Sequence, residues 1–291
     1  MHLRSKARLL SLPLVAVTVF LIAMGDLVVA APQPPADDRA AQAKIGRWMM
    51  SFHEDPSPDQ VVENVRQMSR LGLLDPQPRL TVEQTSTVMF LGKVMENHAD
   101  QIVGWMDEWS ALPDGHREVL RNAVWFSQTP AGAEWLAKNN AETLANSKPA
   151  ILDTSRALDL KPFHLDQYWA WFFATGDSEP VERVIAVYRL AHVDPKPDSL
   201  ELLPRPERPA GDAEDSGDGG LSPEQLYRLQ LLNYGVAGSA IWSASSIATS
   251  SDRLFEVLKK LESESAERDD RGTKWLRQVI RIAESRRKKA M

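Results

Sequence analysis

Apolar residues recur along this chain at helical spacing. Val61, Val62, Val65 and Met68 follow i, i+1, i+4, i+7, and so do Leu254, Phe255, Leu258 and Leu261. Val181, Val184, Ile185 and Tyr188 keep i, i+3, i+4, i+7, while Trp275, Leu276, Val279, Ile280 and Ala283 form a further stripe. Residues so spaced share one side of an α-helix, and burying that side is what holds the helix in place. Sustained alternation of apolar and polar residues, which would signal half-buried strands, is absent. Neither Asp114-Gly115 nor Asp218-Gly219 joins two β-branched runs, so hairpin turns between strands are not expected. The pattern predicts an all-α fold of antiparallel helix hairpins.

Helix ends are marked as clearly as helix faces. Ser57-Pro58, Thr129-Pro130 and Ser222-Pro223 each put a hydroxyl at an N-cap and proline at the first helical position. Ser222-Pro223-Glu224-Gln225 and Thr81-Val82-Glu83-Gln84 also have the reciprocal arrangement of a capping box. Gly176 stands where a helix would end in a left-handed residue. Aromatic-rich segments led by Trp48, Phe90, Trp125, Trp171 and Trp242 each precede a breaker and a new helix. Most of their spacings, roughly 35–46 residues, fall in the range of helix-pair repeats, which gives a short irregular α-solenoid-like array as the finer expectation.

Two segments depart from this pattern. Residues 2–8 carry Arg4, Lys6 and Arg8 without an acid, and residues 9–24 follow without a charge. Val28 and Ala30 then supply the small side chains a signal peptidase accepts, so a secretory signal cleaved after Ala30 is expected. The alternative is an uncleaved membrane anchor over residues 9–30. Either places the body across the membrane, periplasmic or extracellular. The second departure is residues 195–221, where prolines, glycines and seven acids, from Asp198 to Asp218, deny both helix and core. The expected organisation is a signal (1–30), a Pro-rich leader (31–40), a helical-hairpin domain (41–194), a flexible acidic linker (195–221) and a C-terminal helical segment (222–291).

Composition narrows the chemistry. The chain has no cysteine, which excludes disulfides and thiolate chemistry. A net charge of −6 gives no reason to expect general nucleic-acid binding. None of the six histidines, His2, His53, His98, His116, His164 and His192, has the one-turn pairing a helical zinc site uses. His53-Glu54-Asp55 is the only tight cluster of ligand types, and its place before prolines suits a solvated turn. Gly-x-Ser-x-Gly and phosphate-binding glycine loops are both missing. Asp269-Asp270 and Glu262, Glu264 and Glu267 sit in one polar run rather than across a cleft. Ser239, Ser243, Ser246 and Ser250, with Gly235 and Gly238, make a small-residue stripe suited to close helix packing. No catalytic residue, metal site or cofactor is assigned.

The remaining features concern contact with partners. Nine tryptophans face only four tyrosines. Trp105 and Trp109, one turn apart, and Trp171 are candidate partner-binding rings, with core filling as the competing role. Residues 268–291 hold nine cations against three acids and close on Arg286-Arg287-Lys288-Lys289. That tail is a candidate for docking on an anionic surface, with stabilisation of a helix C-terminus as the competing role. Either the tail or an uncleaved N-terminus would supply membrane contact. The expected function is an exported helical scaffold that binds a protein or peptide. The alternative is an envelope enzyme whose site is assembled from scattered acids and histidines.

Overall fold

A computed structural model describes residues 35–75, 85–149, 161–191, 194–196, 222–268 and 270–290. The predicted signal with its cleavage after Ala30, residues 197–221 of the acidic linker, and the capping box at Thr81-Val82-Glu83-Gln84 all lie outside them. The chain divides into two units, residues 1–48 and 49–291. Helix α1 (Ala36–Ser51) begins in the first and opens on Asp37 and Asp38, acids suited to the positive end of the helix dipole.

The second unit is built from helices α2 (Val61–Arg70), α3 (Ser86–Asn97), α4 (Ile102–Glu108), α5 (Asp114–Ser127), α6 (Pro130–Lys138), α7 (Glu142–Ala145), α8 (Pro162–Thr175), α9 (Ser178–Ala186), α10 (Pro223–Ser250), α11 (Asp252–Glu264) and α12 (Arg271–Ala290). Among the described residues there is no strand, so the protein is all-α. Helix α3 lies at the centre. Val88, Met89, Phe90, Leu91, Gly92, Val94 and Met95 are buried around nearly its whole circumference, with α5 and α8 as its main neighbours. Its partner α8 comes from a distant part of the chain. A solenoid stacks each repeat only on its neighbours, so the expectation of stacked repeats finds no support here.

The α3–α5 crossing depends on a missing side chain. A Cβ on Gly92 would stand 2.6 Å from Phe126 Cβ and 3.1 Å from the Ala123 carbonyl oxygen. The C-terminal helices then close onto the same unit. Helix α10 buries Ala237, Ala240, Ala244 and Ala248 completely, and packs against α12, where Trp275, Leu276, Val279 and Ala283 are buried. The face that allows this approach is therefore the alanine stripe, not Ser239, Ser246 and Ser250; of the expected serines, Ser243 alone is buried. Trp169 Nε1 on α8 donates to Ser243 Oγ at 2.9 Å, and Arg253 Nε on α11 donates to the Gly176 carbonyl at 3.0 Å. Arg271 Nη1 donates to the Ala191 carbonyl at 2.7 Å, and Lys274 Nζ meets Asp194 Oδ2 at 2.8 Å. The acidic segment thus joins parts of one unit, 49–291.

The caps follow the residues expected to make them. Thr129 Oγ1 accepts from Gly132 N at 3.0 Å. Ser222 Oγ accepts from Gln225 N, while Ser222 N donates to Gln225 Oε1 at 2.8 Å. Helix α8 ends on Gly176 in the left-handed conformation. Pro58 opens a single 3-10 turn rather than α2 itself, and α3 is capped by Thr85, whose Oγ1 accepts from Val88 N at 3.3 Å.

Gly92→Ala tests the crossing. Alanine is favoured in a helix by about 1 kcal/mol over glycine, yet the new methyl meets a Cβ and a carbonyl that only backbone movement can displace. Crowding of that kind costs roughly 1–3 kcal/mol. Urea unfolding should show a lowered midpoint; an unchanged or raised midpoint would mean that the two helices separate freely.

Candidate functional site

Three residues from separate parts of the sequence form a hydrogen-bonded relay. Helix α2 buries Val61, Val65 and Met68, and this orients its last turn so that Ser69 is half-buried. The helix then ends in a Schellman turn: Leu73 N donates to the Met68 carbonyl at 2.9 Å, and Gly72 N to the Ser69 carbonyl at 3.2 Å. Gly72 has φ +69°, which glycine adopts without a Cβ penalty. A Cβ at that position would also stand 2.8 Å from Asp75 Oδ2, so glycine leaves room for the carboxylate to fold back over the turn. Leu74 is buried and pins the loop.

The middle member, His116, stands in the first turn of α5 and is buried. Its Nδ1 is 2.7 Å from Ser69 Oγ and its Nε2 is 2.7 Å from Asp75 Oδ1. A carboxylate only accepts, so Nε2 carries the proton, and in the neutral ring Nδ1 accepts the Ser69 hydroxyl proton. This order withdraws the proton from Ser69 and fixes the ring. Asp75 remains 63% exposed, so solvent reaches the far end of the relay. The sequence separations are 47 and 41 residues, beyond any local motif.

A second feature lies at the other end of α5. Val124, Trp125, Leu136, Leu144, Ala133 and Pro130 line a groove of about 320 Å³ whose rim carries Gln128, Thr129, Asn146, Ser147 and Lys148. Trp125 Nε1 donates to the Ser147 carbonyl at 3.2 Å, tying the segment after α7 to α5. Among the described residues, Lys148 is the only titratable side chain in the lining.

The tryptophans singled out from the sequence are interior. Trp105, Trp109 and Trp171 are 5%, 0% and 6% exposed. Trp109 Nε1 donates to the Val62 carbonyl at 3.3 Å, and its ring lies 6.2 Å from that of Trp105. Trp171 is covered by cations, with Lys93 Nζ 4.2 Å and the Arg183 guanidinium 5.7 Å from the ring centre. As placed, none of the three presents its ring to a partner; Trp242, at 40% exposure, is the more open one.

The basic tail divides in two. Arg287 donates to the Ala248 carbonyl at 2.8 Å and the Ser251 carbonyl at 3.4 Å, pairs with Asp252 and lies 4.8 Å from the Phe255 ring centre. It serves the exposed carbonyls at the end of α10, a position where a cation also opposes the helix dipole. Arg286 Nη1 donates to Ser245 Oγ at 3.2 Å. Removing residues 286–289 would therefore break these internal bonds as well as remove charge. Arg286, Lys288 and Lys289 are exposed, and Arg287 is half-buried.

Among the described residues no three His, Asp or Glu side chains converge as metal ligands. His53 has both ring nitrogens buried without a hydrogen-bond partner, 3.6 Å from Glu54 Oε1 and packed on Phe172. Burial holds its pKa below the ordinary imidazole range. No helix of the described residues is long and apolar enough to cross a membrane. Comparison with known proteins found no matching family model, curated protein or solved structure.

Asp166 on α8 offers a test of burial. Desolvation pushes its carboxyl up to about 7. A raised native pKa gives stability that is complete below the unfolded value and lost as pH rises through about 7. Asp166→Asn should therefore raise stability by about 4 kcal/mol at pH 8 and change it little at pH 4. Thermal melts at the two pH values measure this; equal effects at both would show that Asp166 is solvated.

Proposed function

We propose that this protein is a helical scaffold that binds a peptide segment of a partner protein in the groove between α5, α6 and α7. The observation that carries this reading is the lining: an apolar floor around Val124, Trp125, Leu136 and Leu144, an amide and hydroxyl rim, and one cation, Lys148. Acid–base chemistry needs two positioned groups of different proton affinity, and among the described residues this groove offers one titratable side chain. Its volume, about 320 Å³, suits one or two apolar side chains at the small end of ligand pockets. The backbone around it is tied down by the Trp125–Ser147 bond and by Gln128 Nε2, which donates to the Trp125 carbonyl at 2.7 Å. A preformed groove avoids part of the ordering cost of association. Export of the scaffold belongs to the same proposal and rests on the basic, apolar and small-residue order of residues 1–30.

The predicted ligand is an extended segment with an apolar anchor followed by an acid that faces Lys148. Selection from a displayed random-peptide library should enrich that pattern. Ala133→Trp, which fills the floor, and Lys148→Glu, which reverses the rim charge, should each weaken binding at least about 10-fold, the effect of ~1.4 kcal/mol. Peptides that bind both variants as well as the parent, or selection without a consensus, would overturn the reading.

A further inference from the structure

We propose that Ser69 is a nucleophile activated by His116 and Asp75, and that it cleaves uncharged carboxylic esters by acyl transfer. This goes beyond the groove, which lies at the other end of α5. Three features of the structure support this. The first is the unbroken relay, with both contacts at 2.7 Å, the reach a nucleophile, base and orienting acid require. The second is the turn at Gly72, whose positive φ and missing Cβ clear the path by which Asp75 reaches the ring. The third is the start of α5. Pro113 offers no side-chain cap, and the first helical bond runs from Arg117 N to the Pro113 carbonyl at 3.0 Å. The positive end of α5 therefore lies beside the ring, where it favours the negative charge that develops on the ester oxygen and opposes the imidazolium charge, which Asp75 offsets from 2.7 Å.

The electrons and protons balance with water as co-reactant. Ser69 Oγ forms a bond to the ester carbon, and the carbonyl π pair moves to its oxygen. The Ser69 proton passes to His116 Nδ1, while Asp75 holds Nε2–H and the charge of the imidazolium. The tetrahedral species collapses, the carbon–alkoxy bond breaks, and the alkoxide leaves as alcohol with the proton from Nδ1. Water then adds to the acyl carbon, its proton goes to Nδ1, and Ser69 Oγ departs and takes that proton back. The products are an alcohol and a carboxylic acid. Asp75 is exposed on the far side of the His116 ring from the serine, so an anionic ester would be repelled. Half-buried Leu71 and Leu73 flank the turn and suit a short apolar acyl chain.

The test uses the full-length protein and an alkyl fluorophosphonate, in which Ser69 Oγ would displace fluoride from phosphorus. Peptide mapping should place the adduct on Ser69, formed about 100-fold faster than on exposed Ser110, the scale expected of a positioned base. Hydrolysis of p-nitrophenyl acetate should follow the same order across variants. Ser69→Ala should abolish both signals, and His116→Gln should reduce both to the Ser110 level. Asp75→Asn should lower the rate while leaving Ser69 the labelled residue. Native circular dichroism of each variant separates lost chemistry from lost fold. If the parent protein forms no adduct at Ser69, or if labelling is unchanged in His116→Gln, the proposal is wrong and the relay only fastens α2 to α5. Loss of peptide binding in the groove variants would not alter this outcome, so the two readings fail separately.

Discussion

The packing of residues 49–291 depends on the burial of α3, whose Ser86, Lys93, Glu96 and Asn97 leave it only a narrow polar edge. Seven positions of α3, from Val88 to Met95, are buried, so it cannot rest on a surface with half its circumference in water. A helix buried over most of its circumference must be enclosed by several others, and at about 25 cal/mol per Å² of apolar surface this burial outweighs any local helix preference. Helices α5 and α8 provide the main enclosure. One of them approaches so closely that Gly92 has no room for a methyl group. That demand sets where both ends of α5 lie, and hence where the relay and the groove lie.

Helix α5 links the two candidate sites mechanically. Its first turn carries His116 and its last carries Val124 and Trp125. Fourteen residues at 1.5 Å each span roughly 21 Å, too far for one ligand side chain to touch both ends. Buried Val119, Leu120 and Ala123 fix the helix against the core between them. The C-terminal helices contribute in a different way. Ser251 closes α10 and caps α11, its Oγ accepting from Leu254 N at 3.2 Å, and Arg287 returns from α12 to the same corner. A charged residue in the tail thereby becomes part of the fold, because helix ends leave carbonyls that need donors.

Much of the helical framework was legible in the sequence. The stripes Val61, Val65, Met68 and Trp275, Leu276, Val279 turned out buried as spaced, since periodicity reports which side faces a core. The caps at Thr129, Ser222 and Gly176 were readable because they act within four residues. What periodicity does not contain is the identity of the opposing surface. For α3, apolar over most of its circumference, it gives little direction. The same limit explains the aromatic residues: Trp109 and Trp242 look alike in sequence, yet one is enclosed and the other 40% exposed. The relay was illegible for a further reason. Ser69, Asp75 and His116 are ordinary residues in ordinary surroundings until the α2 turn meets the start of α5. Gly72 and Asp75-Pro76 hinted at a turn there but not at a partner for it. The serine stripe on α10 misled by about one helical position, because small polar and small apolar residues alternate along that helix and the alanines are the ones the core takes.

The central claim is that residues on both sides of the acidic segment belong to one cooperative unit. The most direct measurement inserts a specific protease site between Gly219 and Gly220, cleaves the folded protein, and follows it by size-exclusion chromatography without denaturant. The buried α10 alanines and the Trp169–Ser243, Arg253–Gly176 and Arg271–Ala191 bonds predict that the two fragments elute together and unfold in one transition. Separation of the fragments, each keeping its helical circular dichroism, would contradict the account and show two independent domains.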